Sequence, residues 1–128
     1  MPFYGDLQYE RVPDKDSFVG RPIYRLTAYL GYANAEVSSL LIPCDPGFET
    51  DFASIPEWIF FIRPRNGKWR KASVIHDKAC DMAADEIISY SEADRIFYYA
   101  MLEDQASKFT AWLLYLFCRV NHLYVKGK

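Results

Sequence analysis

At 128 residues the chain fits one domain, residues 1–128, and is long enough to bury a real core. With 51% hydrophobic and 17% aromatic residues, it is neither a disordered nor a fibrous chain. A formal net charge of −2 implies no general attraction to nucleic acid or to an anionic membrane.

In chain order, the first twenty residues are mixed. Tyr4, Leu7, Tyr9 and Val12 suit a short edge strand, and Pro13-Asp14-Lys15-Asp16 reads as a turn. Ile23 to Tyr32 combines β-branched and aromatic residues with partial alternation, which predicts a strand. Gly31-Tyr32-Ala33-Asn34 suits a hairpin loop, since Gly and Asn tolerate positive φ. Val37 to Pro43 predicts the next strand. Cys44-Asp45-Pro46-Gly47 is a turn, with Pro presetting φ and Gly supplying the left-handed position. The amino-terminal half should form a small, mostly antiparallel sheet.

After Pro56 the character changes. Glu57 to Ile62 suits a short helical turn, broken by Arg63-Pro64-Arg65-Asn66-Gly67. Three helices are predicted next, over Lys68 to Ala84, Ser91 to Asp104 and Ser107 to Tyr124, each with apolar residues at a 3.6 period. Short breaks between them predict antiparallel neighbours. Strands followed by helices predict an α+β domain, with the helices covering one face of the sheet.

Cys44, Cys80 and Cys118 are odd in number and form no C-x-x-C, so they read as buried reduced thiols of a cytoplasmic protein. The amino terminus lacks the pattern of a signal peptide. Phe109 to Val120, the most apolar stretch, is about half the length of a membrane span and reads as a core helix.

The residues that could carry chemistry lie mostly between Phe48 and Asp77. His76 and Asp77 are adjacent on a predicted helix, a way to present two metal ligands or a base with a nearby carboxylate. The alternative is a half-buried His bonded to a backbone carbonyl beside a solvated Asp. Asp51 and Ser54 sit among apolar residues ahead of Pro56. They read either as backbone-satisfying turn residues or as a ligand or base with a nucleophile or orienting group. If Ser54 met His76, with Asp51 or Asp77 behind, a triad-like arrangement would result. Ser91-Glu92-Ala93-Asp94 fits a capping box, which assigns Asp94 a structural role. Asp94 is otherwise a charge partner or ligand for the His76 region, if the two helices pack together. His122, near a helix C-terminus, has nothing in the sequence to place it near His76. Arg63, Arg65, Lys68, Arg70 and Lys71, with Trp69 among them, read as a solvated helix start or a phosphate site.

Three pieces occur in a fixed order. They are Thr50-Asp51-Phe52-Ala53-Ser54-Ile55-Pro56 after Gly47-Phe48, then Lys71-Ala72-x-Val74-x-His76-Asp77, then Ala93-Asp94-x-Ile96-Phe97. From about Ile23 to Val120 the chain resembles a family of small proteins of tailed bacteriophages and prophages, catalogued as domain of unknown function 1353. The family's polar signature falls on Asp51, Ser54, His76, Asp77 and Asp94. Where the family usually carries a tyrosine-rich stretch after His-Asp, this chain has Lys78-Ala79-Cys80-Asp81. The resemblance implies a phage origin and no particular activity.

Two expectations follow. In one, the chain is a small metal-dependent hydrolase acting on cell-wall peptide or a host signalling molecule. His76, Asp51 and Ser54 would be its catalytic groups, and His76, Asp77 and Asp94 would hold a divalent metal ion. In the other, it is a virion or tail-assembly component, or an inhibitor of a host factor, and the same residues form a satisfied polar network. Its partners would be other phage or host proteins, in the host cytoplasm or the virion. No general nucleic-acid binding and no membrane association are expected.

Overall fold

The computed structural model describes residues 3–16, 22–50, 70–104 and 106–127. Among the described residues, six short strands precede three helices, an α+β arrangement. The strands form two antiparallel three-stranded sheets. In the first, β1 (Phe3–Tyr4), β4 (Leu30–Tyr32) and β5 (Ile42–Cys44) pair in the order β1-β4-β5. In the second, β2 (Tyr9–Asp16), β3 (Pro22–Leu26) and β6 (Glu49–Thr50) pair in the order β2-β3-β6.

The predicted strand from Ile23 to Tyr32 is therefore two strands in different sheets. Hydrogen bonding at its middle explains the break. Leu26 donates to the Phe48 carbonyl and accepts from the Gly47 amide, while Thr27 donates to the Gln8 carbonyl. These bonds close one ladder at Leu26, and the chain bends before starting the next.

The turns also move. Pro13 to Asp16 lies inside β2 rather than in a turn, at the place where the β2–β3 register shifts. An irregular ladder is where a strand tolerates a residue with no N–H. Gly31 and Tyr32 belong to a strand, and the reversal comes later, organised by Asn34. The Asn34 carbonyl accepts from Val37 and Ser38, and its side-chain oxygen accepts from the Glu36 amide. That consumes the amides a strand would need, so only Ile42 and Pro43 of the expected Val37–Pro43 strand are in β5, which runs on to Cys44. The Cys44-to-Gly47 turn is present, with Gly47 at φ 97° and Phe48 donating to the Asp45 carbonyl.

The helices are α1 (Arg70–Ala84), α2 (Tyr90–Glu103) and α3 (Lys108–Lys126). The N-cap of α2 is Ser89, whose hydroxyl accepts from the Glu92 amide, so the helix starts before the expected Ser91 cap. Asp94 consequently lies in the second turn and has no capping role. Glu92 instead accepts from Ser38 and ties α2 to the Asn34 turn. Ser107 caps α3, and Gly127 ends it in the left-handed conformation.

Leu30, Tyr32, Ile42 and Cys44 meet Val74 and Ile75 in the core. Helix α1 carries the principal contact with the sheet, α2 packs on α1, and α3 packs on α2. The helices thus stack outward, where a cover over one sheet face was expected. Fully buried Ala72 and Ala79 of α1 and Ala93 and Ala100 of α2 let backbones approach closely. Among the described residues, no helix is long and apolar enough to cross a membrane.

Candidate functional site

The stacking brings one turn of each helix to a common point. His76 and Cys80 are four residues apart on α1, so they share a face one turn apart. Asp94 comes from the second turn of α2. Arg119 and His122, three apart, come from α3. Asp94 is fully buried, and its carboxylate takes up all three helices. Its Oδ1 accepts from His76 Nε2 at 2.8 Å. Its Oδ2 accepts from His122 Nδ1 at 2.7 Å and from Arg119 Nη1 at 2.9 Å.

An ionised carboxylate only accepts, so each nitrogen facing it carries a proton. This fixes both rings. His76 holds its proton on Nε2. His122 holds one on Nδ1 and turns Nε2 toward Cys80 Sγ, 4.0 Å away. Cys80 Sγ also lies 3.3 Å from His76 Nε2. The His76 ring stacks on Phe97 at 4.4 Å, and the His122 ring tilts against Tyr90 at 4.8 Å, so neither ring is free to turn.

The electrostatics follow from this packing. Burial pushes the Asp94 carboxyl up, but the bonds from His76 and His122 outweigh it and hold Asp94 below the usual 3.8. Burial pulls His76 down, but the Cys80 and Asp94 anions prevail and push it up to about 10. Burial likewise raises the Cys80 thiol, yet the two imidazoles bring it below its ordinary 9.0. His122 moves up, through its bond to Cys80 first, against burial and with help from Asp94. Burial dominates at the other thiols. It pushes Cys44 up to about 12 and Cys118 well above the ordinary value. Of the three cysteines, Cys44 and Cys118 are buried as expected, and Cys80 is only half-buried.

Cys80 lines two open cavities. One, of about 210 Å³, is bounded by His76, Asp77, Phe117, Cys118, Asn121 and His122. The other, of about 420 Å³, is bounded by Ile23, Phe48, Glu49, Thr50, Asp77 and Asp81. The half-buried thiol is thus reachable from both.

Of the residues singled out in the sequence, His76 and Asp94 are in direct contact. Asp77 also lines both cavities; its carboxylate accepts from the Thr50 hydroxyl, and the clustered donors are His76, Cys80 and Asp94. Asp51 and Ser54 lie outside the described residues. Sequence reasoning missed Cys80, Arg119 and His122. A signal for Cys80 existed, because His76-x-x-x-Cys80 puts two soft donors on one helix face. His122 and Arg119 gave none, being 46 and 43 positions from His76 along the chain. His122, which nothing in the sequence placed near His76, has its ring centre 6.0 Å from that of His76.

Residues 24–118 match the family described as Protein of unknown function (DUF1353). The chain belongs to that family. No curated protein and no solved structure matches the chain. In this member of DUF1353, Cys80 stands one helical turn after the His-Asp pair, in contact with its histidine.

Proposed function

We propose that this DUF1353 protein is a hydrolase in which Cys80 is the nucleophile, His122 its acid–base partner and Asp94 the group that orients His122. The observation that carries this is the position of His122 between them. Its Nδ1–H is held by Asp94 at 2.7 Å, and its Nε2 faces Cys80 Sγ at 4.0 Å. Nucleophile and orienting carboxylate on opposite nitrogens of one imidazole is the arrangement a catalytic triad requires, and nucleophile–base distances are often long before substrate binds. His76 Nε2, with its proton directed at Asp94, lies 3.3 Å from the same sulfur and brings the charge of a protonated imidazole beside the thiolate.

The chemistry is acyl transfer. The thiolate attacks a carbonyl carbon of an amide or ester lying in the cavity beside Asn121 and His122. A C–S bond forms, the C–N or C–O bond breaks, and the departing group takes a proton from His122 Nε2. Water then attacks the thioester, gives its proton to His122 and releases the acid, leaving Cys80 as the thiolate. A bacteriophage source is part of this reading through the family resemblance alone, and cell-wall peptide or a host signalling molecule is the substrate class that suits such a source.

The test is alkylation of the native protein by iodoacetamide, with the modified cysteine located by peptide mapping. Cys80 should react selectively at about pH 6.5, roughly tenfold faster than an unperturbed thiol, because more of it is thiolate. Alkylation at the rate of an ordinary cysteine, or slower, would sink the proposal.

A second reading rests on a separate observation. His76, Cys80 and Asp94 offer a nitrogen, a sulfur and an oxygen that all lie within 4.8 Å of one another. That donor set suits zinc, and binding would displace the protons of Cys80 and of His76 Nε2. His122 and Arg119 on the other Asp94 oxygen would be its outer support. Metal content after purification separates the two. Stoichiometric zinc, with Cys80 protected from alkylation until a chelator is added, favours the metal-dependent hydrolase. A metal-free protein with a reactive Cys80 favours the thiol mechanism.

A further inference from the structure

Among the described residues, helix α3 buries one face and exposes the other. Ala111, Leu114, Cys118 and His122, at spacings of three and four, pack inward on the domain. The opposite face carries Phe109, Trp112, Leu116, Val120 and Leu123, again at spacings of three and four, with Tyr124 beside them. All six are exposed, Phe109 at 68%, Trp112 at 51% and Tyr124 at 90%. Between Phe109 and Leu123 no charged residue falls on this stripe.

From these exposures, covering the stripe would remove on the order of 700 Å² of surface, given ~150–250 Å² for a whole aromatic side chain. One side of a standard stable interface buries roughly 600–1,000 Å², a range that includes this area. Such a surface exceeds the scattered apolar residues of a monomer. A membrane-surface helix is a poorer fit, because its second face should be polar and basic and lie in water. Here the second face is packed in protein, and the chain's net charge is −2.

We propose that the α3 stripe pairs with the same stripe of a second copy, making a symmetric dimer across α3. The three-and-four spacing repeats over about four turns, so two such stripes can interlock along their length. Phe117 and Asn121, on the flank of the stripe, line the smaller cavity, so the second copy stands beside its mouth.

The test is the solution mass of the full chain, by light scattering at about 10 and 100 μM, for wild type, Leu116→Glu and Val120→Glu. Both substitutions sit on the exposed face, and circular dichroism checks that the helices are retained. Wild type should run at twice the 14.9 kDa chain mass and both variants at the chain mass. Three results would overturn the proposal. They are a monomeric wild type at 100 μM, a dimer that survives both substitutions, and a monomer that instead sediments with anionic phosphatidylserine vesicles.

Discussion

Asp94 Oδ2 and His122 Nδ1 lie 2.7 Å apart, joining the second helix to the third across 28 positions of sequence. The same carboxylate meets His76 of the first helix at 2.8 Å. One buried anion therefore orients both imidazoles and fastens three helices.

The fastening predicts a large loss from a small change. Asp94→Asn keeps the volume but removes the charge and sets an amide N–H against donors. We expect destabilisation of about 3 kcal/mol, the scale of breaking a buried, hydrogen-bonded ion pair. Urea unfolding of the two proteins measures it. A loss below about 1 kcal/mol would mean that the carboxylate is not the fastening.

His122 should matter for reactivity apart from stability. His122→Ala removes the imidazole nitrogen facing Cys80 while His76 stays, so the thiol rises toward its ordinary range. Alkylation of Cys80 near neutral pH should slow roughly fivefold or more. His122→Gln, which keeps a donor for Asp94 but no base, should slow it as well while restoring stability. Unchanged alkylation in both variants would remove His122 from the proposed mechanism.

The titrating groups set a pH signature. Asp94, held below 3.8, contributes stability that is present above 3.8 and lost as the pH falls through its folded value. His76, raised from 6.5 to about 10, contributes stability that is complete below 6.5 and lost as the pH rises through about 10. Cys80, lowered from 9.0, has the opposite sign to His76, being complete above 9.0 and lost on acidification through its folded value. Between 6.5 and 9.0 the extra proton on His76 and the lowered Cys80 act with opposite signs. Above 9.0 the slope of His76 alone remains. The stability difference between wild type and a His76→Gln/Cys80→Ser variant should fall between about 9 and 10.5. A level difference up to about pH 10.5 would rule out the thiolate–imidazolium pair.

Two glycines separate steric clash from backbone strain. Gly5 has φ 86°, and a Cβ there would collide with the Tyr29 carbonyl oxygen. Gly47 has φ 97°, with nothing within 4 Å of its Cβ position. Gly47→Ala should cost about 1 kcal/mol, from the left-handed backbone alone. Gly5→Ala should cost clearly more, because the β1 end of the first sheet must also shift. Equal losses in thermal or urea unfolding would show that the Tyr29 carbonyl yields freely.

The three helices were legible because apolar periodicity is a local property that burial reads directly, and each was placed to within two residues where it is described. His76 and Asp94 were legible as unusual residues among apolar neighbours. The strands were less so. Long-range bonds from Gly47 and Phe48 to Leu26, and the Asn34 turn, overrode local strand preference.

The sequence by itself determined the α+β order, the family and two of the polar residues at the centre. Only the tertiary structure decided that Cys80 stands against two imidazoles and that His122 is one of them. A thiol's state depends on which charges stand within a few ångströms. The nearest of them come from α1 and α3, which meet only because α2 carries a buried carboxylate between them.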